Sequence, residues 1–144
     1  MHRLIYLSQT TRPMSSLETG RLIAKAQARN AKAGLTGMLV LLQSRFLQVL
    51  EGPENALAQC YGRIQQDKRH SHMQLLQSTP ITQRAFPDWK MSLFHPEQLP
   101  EQAKDAALSI DALIPMNSPD RGDDPEVRAV VRQFLASFKR MAAA

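Results

Sequence analysis

Two amides interrupt apolar patterns in this chain. Gln48 stands inside GLTGMLVLLQSRFLQVLEG, Gly34 to Gly52, the longest apolar run, where packing favours a leucine. Asn30 falls on a helical stripe with Leu22, Ile23, Ala26 and Ala33. An amide carries both donor and acceptor and can hand a proton across without bringing a charge. Buried without partners, it costs about 1–3 kcal/mol. Gln48 is therefore at a rim or held by partners in the interior. For Asn30 the competing reading is an exposed asparagine near a helix C-cap.

Other reactive residue types carry less. His70 and His72 alternate by two, but no nearby acid and cysteine set completes a metal site, so no metal is expected. Cys60 is the single cysteine, which excludes an intramolecular disulfide and reads as a small buried hydrophobe. There is no Ser-His-Asp order, P-loop or Gly-rich dinucleotide fingerprint. The net charge is +5, with 12 Lys/Arg against 5 Asp/Glu in residues 1–96 and 6 against 8 in residues 97–144. The basic residues are scattered singly, which argues against a nucleic-acid partner. No apolar run reaches the roughly 18 residues of a membrane span. MHRLIYL enters an alternating strand pattern without signal-peptide organisation, so the expected location is the cytoplasm.

The elements that must position the amides follow from periodicity. His2–Ser8 alternates as a strand, with Leu4, Tyr6 and Ser8 on one face and Arg3, Ile5 and Leu7 on the other. Ser15 and Glu18 have capping-box spacing before a helix that runs to about Lys32 and stops before Gly34. Met38–Leu42 and Phe46–Leu50, joined through Gln43-Ser44-Arg45, make a central hairpin apolar on both faces. Gly52-Pro53-Glu54 opens a second helix with Pro at its first position, buried along Leu57, Cys60, Tyr61 and Ile64. Strands are expected at Met73–Ser78 and Trp89–Phe94. The order β-α-β-β-α-β(-β) is the split βαβ pattern of an α+β, ferredoxin-like sandwich. Residues 1–95 read as one domain and residues 96–144 as a C-terminal extension of two helices with a loop at 115–124. The second of these helices is broadly apolar from Val127 to Met141 and is expected to cover the sheet's second face.

Five segments in register resemble one family. They are RLIYLS from Arg3, NAKAGLTGML from Asn30, FLQVLEGP from Phe46, DKRH from Asp67 and FPDWKM from Phe86. They span residues 3–91 and resemble the BLUF photoreceptors, which sense blue light with flavin adenine dinucleotide. Arg29 stands where several relatives carry His or Asn, and Lys68 where a proline often precedes the Arg-His pair.

The resemblance implies a flavin ring between the first two helices, as FAD, with FMN or riboflavin as alternatives. Tyr6 would be the electron donor and Gln48 the amide linking its hydroxyl to the ring. Asn30 would bond the ring's carbonyl edge, with Leu22, Leu39 and Phe46 around it. Arg63, Asp67, Arg69 and His70 match positions near the ring's other polar edge, and Trp89 and Met91 the strand that carries the signal outward. The implied function is a reversible red-shifted signalling state, relayed to a partner protein by a homo-oligomer, dimer or ring, that is itself no enzyme. The rival reading is a ferredoxin-like RNA- or small-ligand-binding module without photochemistry. It lacks an RNP-like aromatic pair.

Overall fold

The first strand organises the sheet. In the computed structural model, which describes residues 1–10, 13–42, 45–68, 70–87, 92–114, 120 and 122–142, β1 (His2–Thr10) pairs antiparallel with β3 (Arg45–Gly52) and with β4 (His70–Pro80). β3 in turn pairs antiparallel with β2 (Thr36–Leu41), and β5 (Ser92–Phe94) adds to β2 in parallel. The order is β4-β1-β3-β2-β5. With α1 (Ser16–Ala33) and α2 (Glu54–Gln66) between the strands, this is the α+β, ferredoxin-like arrangement expected.

Helix α1 begins where Ser15 Oγ accepts from the Glu18 N–H at 3.1 Å. It ends where Gly34 takes a left-handed φ of 72°, with the Gly34 and Leu35 N–H groups both donating to the Asn30 carbonyl. Helix α2 starts one residue later than the proline suggested: Pro53 is its N-cap and Glu54 its first residue.

The strands are longer than side-chain alternation marks, because backbone pairing continues past the apolar stretch. β1 reaches Thr10, β2 starts at Thr36, β4 runs from His70 to Pro80, and β3 includes both Arg45 and Gly52. Arg45 thus belongs to the strand and not to the turn, its carbonyl accepting from the Leu42 N–H at 2.9 Å. Of the expected strand Trp89–Phe94, only Ser92–Phe94 lies within the described residues.

Both faces of the hairpin are covered. One face packs Leu4, Tyr6, Leu39, Phe46 and Leu50 under α1 and α2. The other packs Ile5, Leu7, Met38, Val40, Leu47 and Val49 under α3 (Glu101–Leu113) and α4 (Pro125–Ala142). α3 presents Ala103, Ala106, Ala107 and Ile110 to this core, and its backbone runs closest to that of α4. α4 supplies Val127, Val131, Phe134, Leu135 and Phe138; the Phe134 and Phe138 rings meet at 5.0 Å and Phe138 meets Phe86 at 5.2 Å. The side chain of Met141 lies outside the described residues.

β4 forms one border of the sheet and is irregular, with register shifts against β1 and His72 at a φ of 49°. Its border is not bare. The Asp120 carboxylate accepts from the Leu75 N–H at 2.8 Å, and Gly122 lies so close that an added Cβ would stand 2.9 Å from the Leu76 carbonyl oxygen.

Candidate functional site

β1, β3 and β2 bring three residues into one row across the sheet: Tyr6 is opposite Gln48, and Gln48 is opposite Leu39. All three face α1 and α2. Tyr6 is wholly buried and Gln48 is 6% exposed, and the Tyr6 hydroxyl donates to Gln48 Oε1. Burial holds the Tyr6 phenol well above its ordinary pKa, with the neighbouring Cys60 and Tyr61 adding to the effect. Tyr6 is therefore a neutral phenol with its proton pointed at an amide. The ring of Tyr61, on α2, meets that of Tyr6 edge-on at 5.3 Å.

Gln48 opens onto a cleft of about 150 Å³ between the two helices. Leu22, Asn30, Leu39, Phe46, Gln48, Arg63 and Asp67 all line it. Tyr6 is not a lining residue and is joined to the cleft by its bond to Gln48. Asn30 is 2% exposed, so it is a buried lining residue and not an exposed helix end. His70 opens β4, and its side chain is outside the described residues, as are Arg69, Trp89 and Met91.

The cleft has further walls, most of them outside the expected site residues, with Arg29, noted above as a departure from the family's pattern, among them. Ile23, Lys25, Ala26 and Arg29 of α1 and Cys60 and Ile64 of α2 also line it. The signal was present as two helical stripes, 22-25-26-29-30 and 60-63-64-67, which only the pairing of the helices over one sheet face makes into a single site. Cys60 is buried, as expected of a small hydrophobe. Burial pushes its thiol up from its ordinary value, while Arg63 and then Arg29 pull the other way. Among the described residues around the cleft, the cations Lys25, Arg29 and Arg63 stand against Asp67 alone.

Beside the site, Glu51 is a wholly buried carboxylate on β3. It pairs with Arg3 at 2.7 Å and accepts from the Ala85 and Phe86 N–H groups at 3.1 and 2.8 Å. Arg84 donates to Thr36 Oγ1 and to the Gly34 carbonyl, both at 2.8 Å. These bonds fix the backbone at residues 84–86, immediately before the segment that holds Trp89 and Met91.

The model of the BLUF family, sensors of blue light using FAD, matches residues 1–92. The chain belongs to the BLUF family. Its BLUF domain is 39% identical to the photoactivated adenylate cyclase subunit beta of Euglena longa over 97 residues, which are 67% of this chain and 11% of that protein. The chain thus spans about a tenth of the length of the curated relatives it matches. Among solved BLUF structures it is similar to BlrB in its dark state, with 26% identity and a TM-score of 0.72 over 94% of this chain and 96% of the other. It is also similar to Klebsiella pneumoniae BlrP1 with FMN and cyclic diGMP, with 30% identity and a TM-score of 0.65 over 94% and 34%.

The residues present fit a flavin. Leu22, Ile23, Leu39 and Phe46 offer apolar walls for a planar ring, Asn30 and Gln48 offer donors and acceptors for its polar edge, and the cations suit a phosphate-bearing tail.

Proposed function

We propose that this BLUF domain senses blue light through Tyr6 and Gln48. The observation that carries the reading is the buried hydrogen bond from the Tyr6 hydroxyl to Gln48 Oε1, with Gln48 itself lining the cleft. Asn30 and Gln48 would hold the polar edge of the flavin, as FAD or as FMN or riboflavin. Leu22, Leu39 and Phe46 would hold its ring, and Arg63, Asp67, Arg69 and His70 its remaining polar periphery. A bound flavin supplies the absorption of blue light and a one-electron oxidant.

The residues of the chain do the rest. Tyr6 is an aromatic donor whose proton must leave with its electron, since a phenol that loses an electron becomes strongly acidic. Gln48 takes that proton on its oxygen and can give another from its nitrogen, which a Leu cannot do and a Glu does only by bringing a charge. When the charges recombine, Gln48 settles rotated or as its imidic tautomer. A hydrogen bond remade by Gln48 would then move the absorption of a bound flavin to the red.

A magnitude limits the output. One rearranged hydrogen bond is worth about 0.5–1.5 kcal/mol, whereas moving an equilibrium from 1:99 to 99:1 needs about 5.5 kcal/mol. The signal therefore biases elements already near balance, or adds over the subunits of a homo-oligomer, dimer or ring, acting on a downstream signalling protein. In this reading residues 1–95 hold the flavin, Trp89 and Met91 relay its state, and residues 96–144 form a non-enzymatic extension acting in the cytoplasm.

The test is spectroscopic. The purified protein is expected to be yellow and to shift reversibly to the red under blue light. Gln48→Leu and Tyr6→Phe are expected to keep the flavin and lose the shift. A colourless protein from flavin-replete cells, or a normal shift in either variant, overturns the reading.

A further inference from the structure

Arg45 is a buried cation that the photochemistry above does not use. It precedes Phe46, whose ring lines the cleft, but strand alternation turns its own side chain to the opposite face of the sheet. There the guanidinium meets the end of α3. Nε donates to the Asp111 carboxylate at 2.8 Å, and Nη2 donates to the carbonyls of Asp111 and Ile114, both at 2.6 Å. A longer bond of 3.2 Å runs from Nη1 to Gln74 Oε1 on β4. The last carbonyls of a helix lack partners within it, and its C-terminal end favours a cation, so Arg45 caps α3 from a strand.

One acceptor on β1 is left over. Gln9 of β1 is the register partner of Arg45, and its Oε1 is buried without a hydrogen-bond partner among the described residues. Directly opposed residues share a face, with Cβ atoms about 4.5–5.5 Å apart. The guanidinium thus has one set of acceptors on α3 that it uses and one on β1 that it does not. Charge-assisted bonds of this kind are short and directional, unlike the sliding apolar contacts around them.

Resting on the light-sensing reading above, we infer that Arg45 is a positioning residue that couples β3 to α3. When a change at Gln48 shifts β3, Arg45 exchanges a hydrogen bond on α3 for one to Gln9, and the last turn of α3 is released. The cleft and the C-terminal helices then communicate through the strand itself.

Amide hydrogen exchange of residues 108–114 in the flavin-loaded full chain, dark and illuminated, tests this. Native protein is expected to exchange about fivefold or more faster there in the light. Gln9→Leu removes the second acceptor, so the light-induced increase is lost while the red shift stays. Asp111→Asn loosens the clamp, so the dark rate rises toward the illuminated native rate, again with a normal red shift. Circular dichroism establishes that both variants are folded. A native red shift with unchanged exchange at 108–114 overturns the inference, as does a full light response in Gln9→Leu. A native protein without any red shift overturns the light-sensing reading itself, and the inference with it.

Discussion

The Tyr6 hydroxyl and Gln48 amide sit opposite each other on paired strands, so their contact is set by backbone register and not by flexible side-chain reach. Their burial has a consequence for alkaline stability. Unfolded, Tyr6 ionises near its ordinary value of 10.0; folded, burial keeps it protonated to higher pH. Above about pH 10 the unfolded chain therefore binds fewer protons than the folded one. The Tyr6 contribution is complete below that pH and is lost as pH rises toward the folded pKa, by up to about 1.4 kcal/mol per unit. Cys60 and Tyr61, both raised chiefly by burial, act in the same direction. Urea midpoints at pH 9 and 11 are expected to fall steeply in the native chain and less steeply in Tyr6→Phe. Equal slopes would place the alkaline loss elsewhere.

At the scale of elements, the hairpin was legible because its apolar run is interrupted by a turn, and the helices because Ser15 and Gly34 bracket a 3.6-residue pattern. Asn30 was only half legible. Its position on the apolar stripe was visible, but whether that stripe's end is exposed depends on α2 closing over the same sheet face. Arg45 and Glu51 were less legible still. Their burial rests on distant partners, among them Asp111, 66 residues from Arg45, and Arg3 and the Ala85 and Phe86 amides, 48, 34 and 35 from Glu51, and local periodicity holds no record of such partners. Glu51 also carries a prediction. Glu51→Ala leaves Arg3 and two backbone N–H groups without their acceptor, and breaking a buried ion pair costs about 3–5 kcal/mol. Chemical denaturation is expected to show a loss of that size, with Glu51→Gln falling between because it keeps an acceptor. A change below about 0.5 kcal/mol would mean that solvent replaces the carboxylate.

For the whole molecule, the two faces of one sheet divide the work: α1 and α2 enclose the cleft, and α3 and α4 close the core behind it. The apolar side of α4 is spent on the sheet, so a subunit interface would have to use another surface. Removing residues 97–144 would bare Ile5, Leu7, Met38, Val40, Leu47 and Val49 together, a patch far larger than single exposed hydrophobes. The shortened chain is expected to aggregate or lose cooperative unfolding, as read by light scattering and a thermal melt. A soluble monomer with a sharp transition would show that the sheet does not need its rear helices.

The border of β4 has one more consequence, for the life of the protein in a crowded solution. An unpaired strand border is a template on which other chains can add, and it is how sheets grow into fibres. Here the Leu75 N–H is already occupied by the Asp120 carboxylate, and Gly122 sits against the Leu76 carbonyl where no larger residue fits. The left-handed φ at His72 and the register shifts against β1 interrupt the regularity of the strand as well. Asp120 and Gly122 thus act as a stopper on this border of the sheet, blocking the addition of another strand along its backbone.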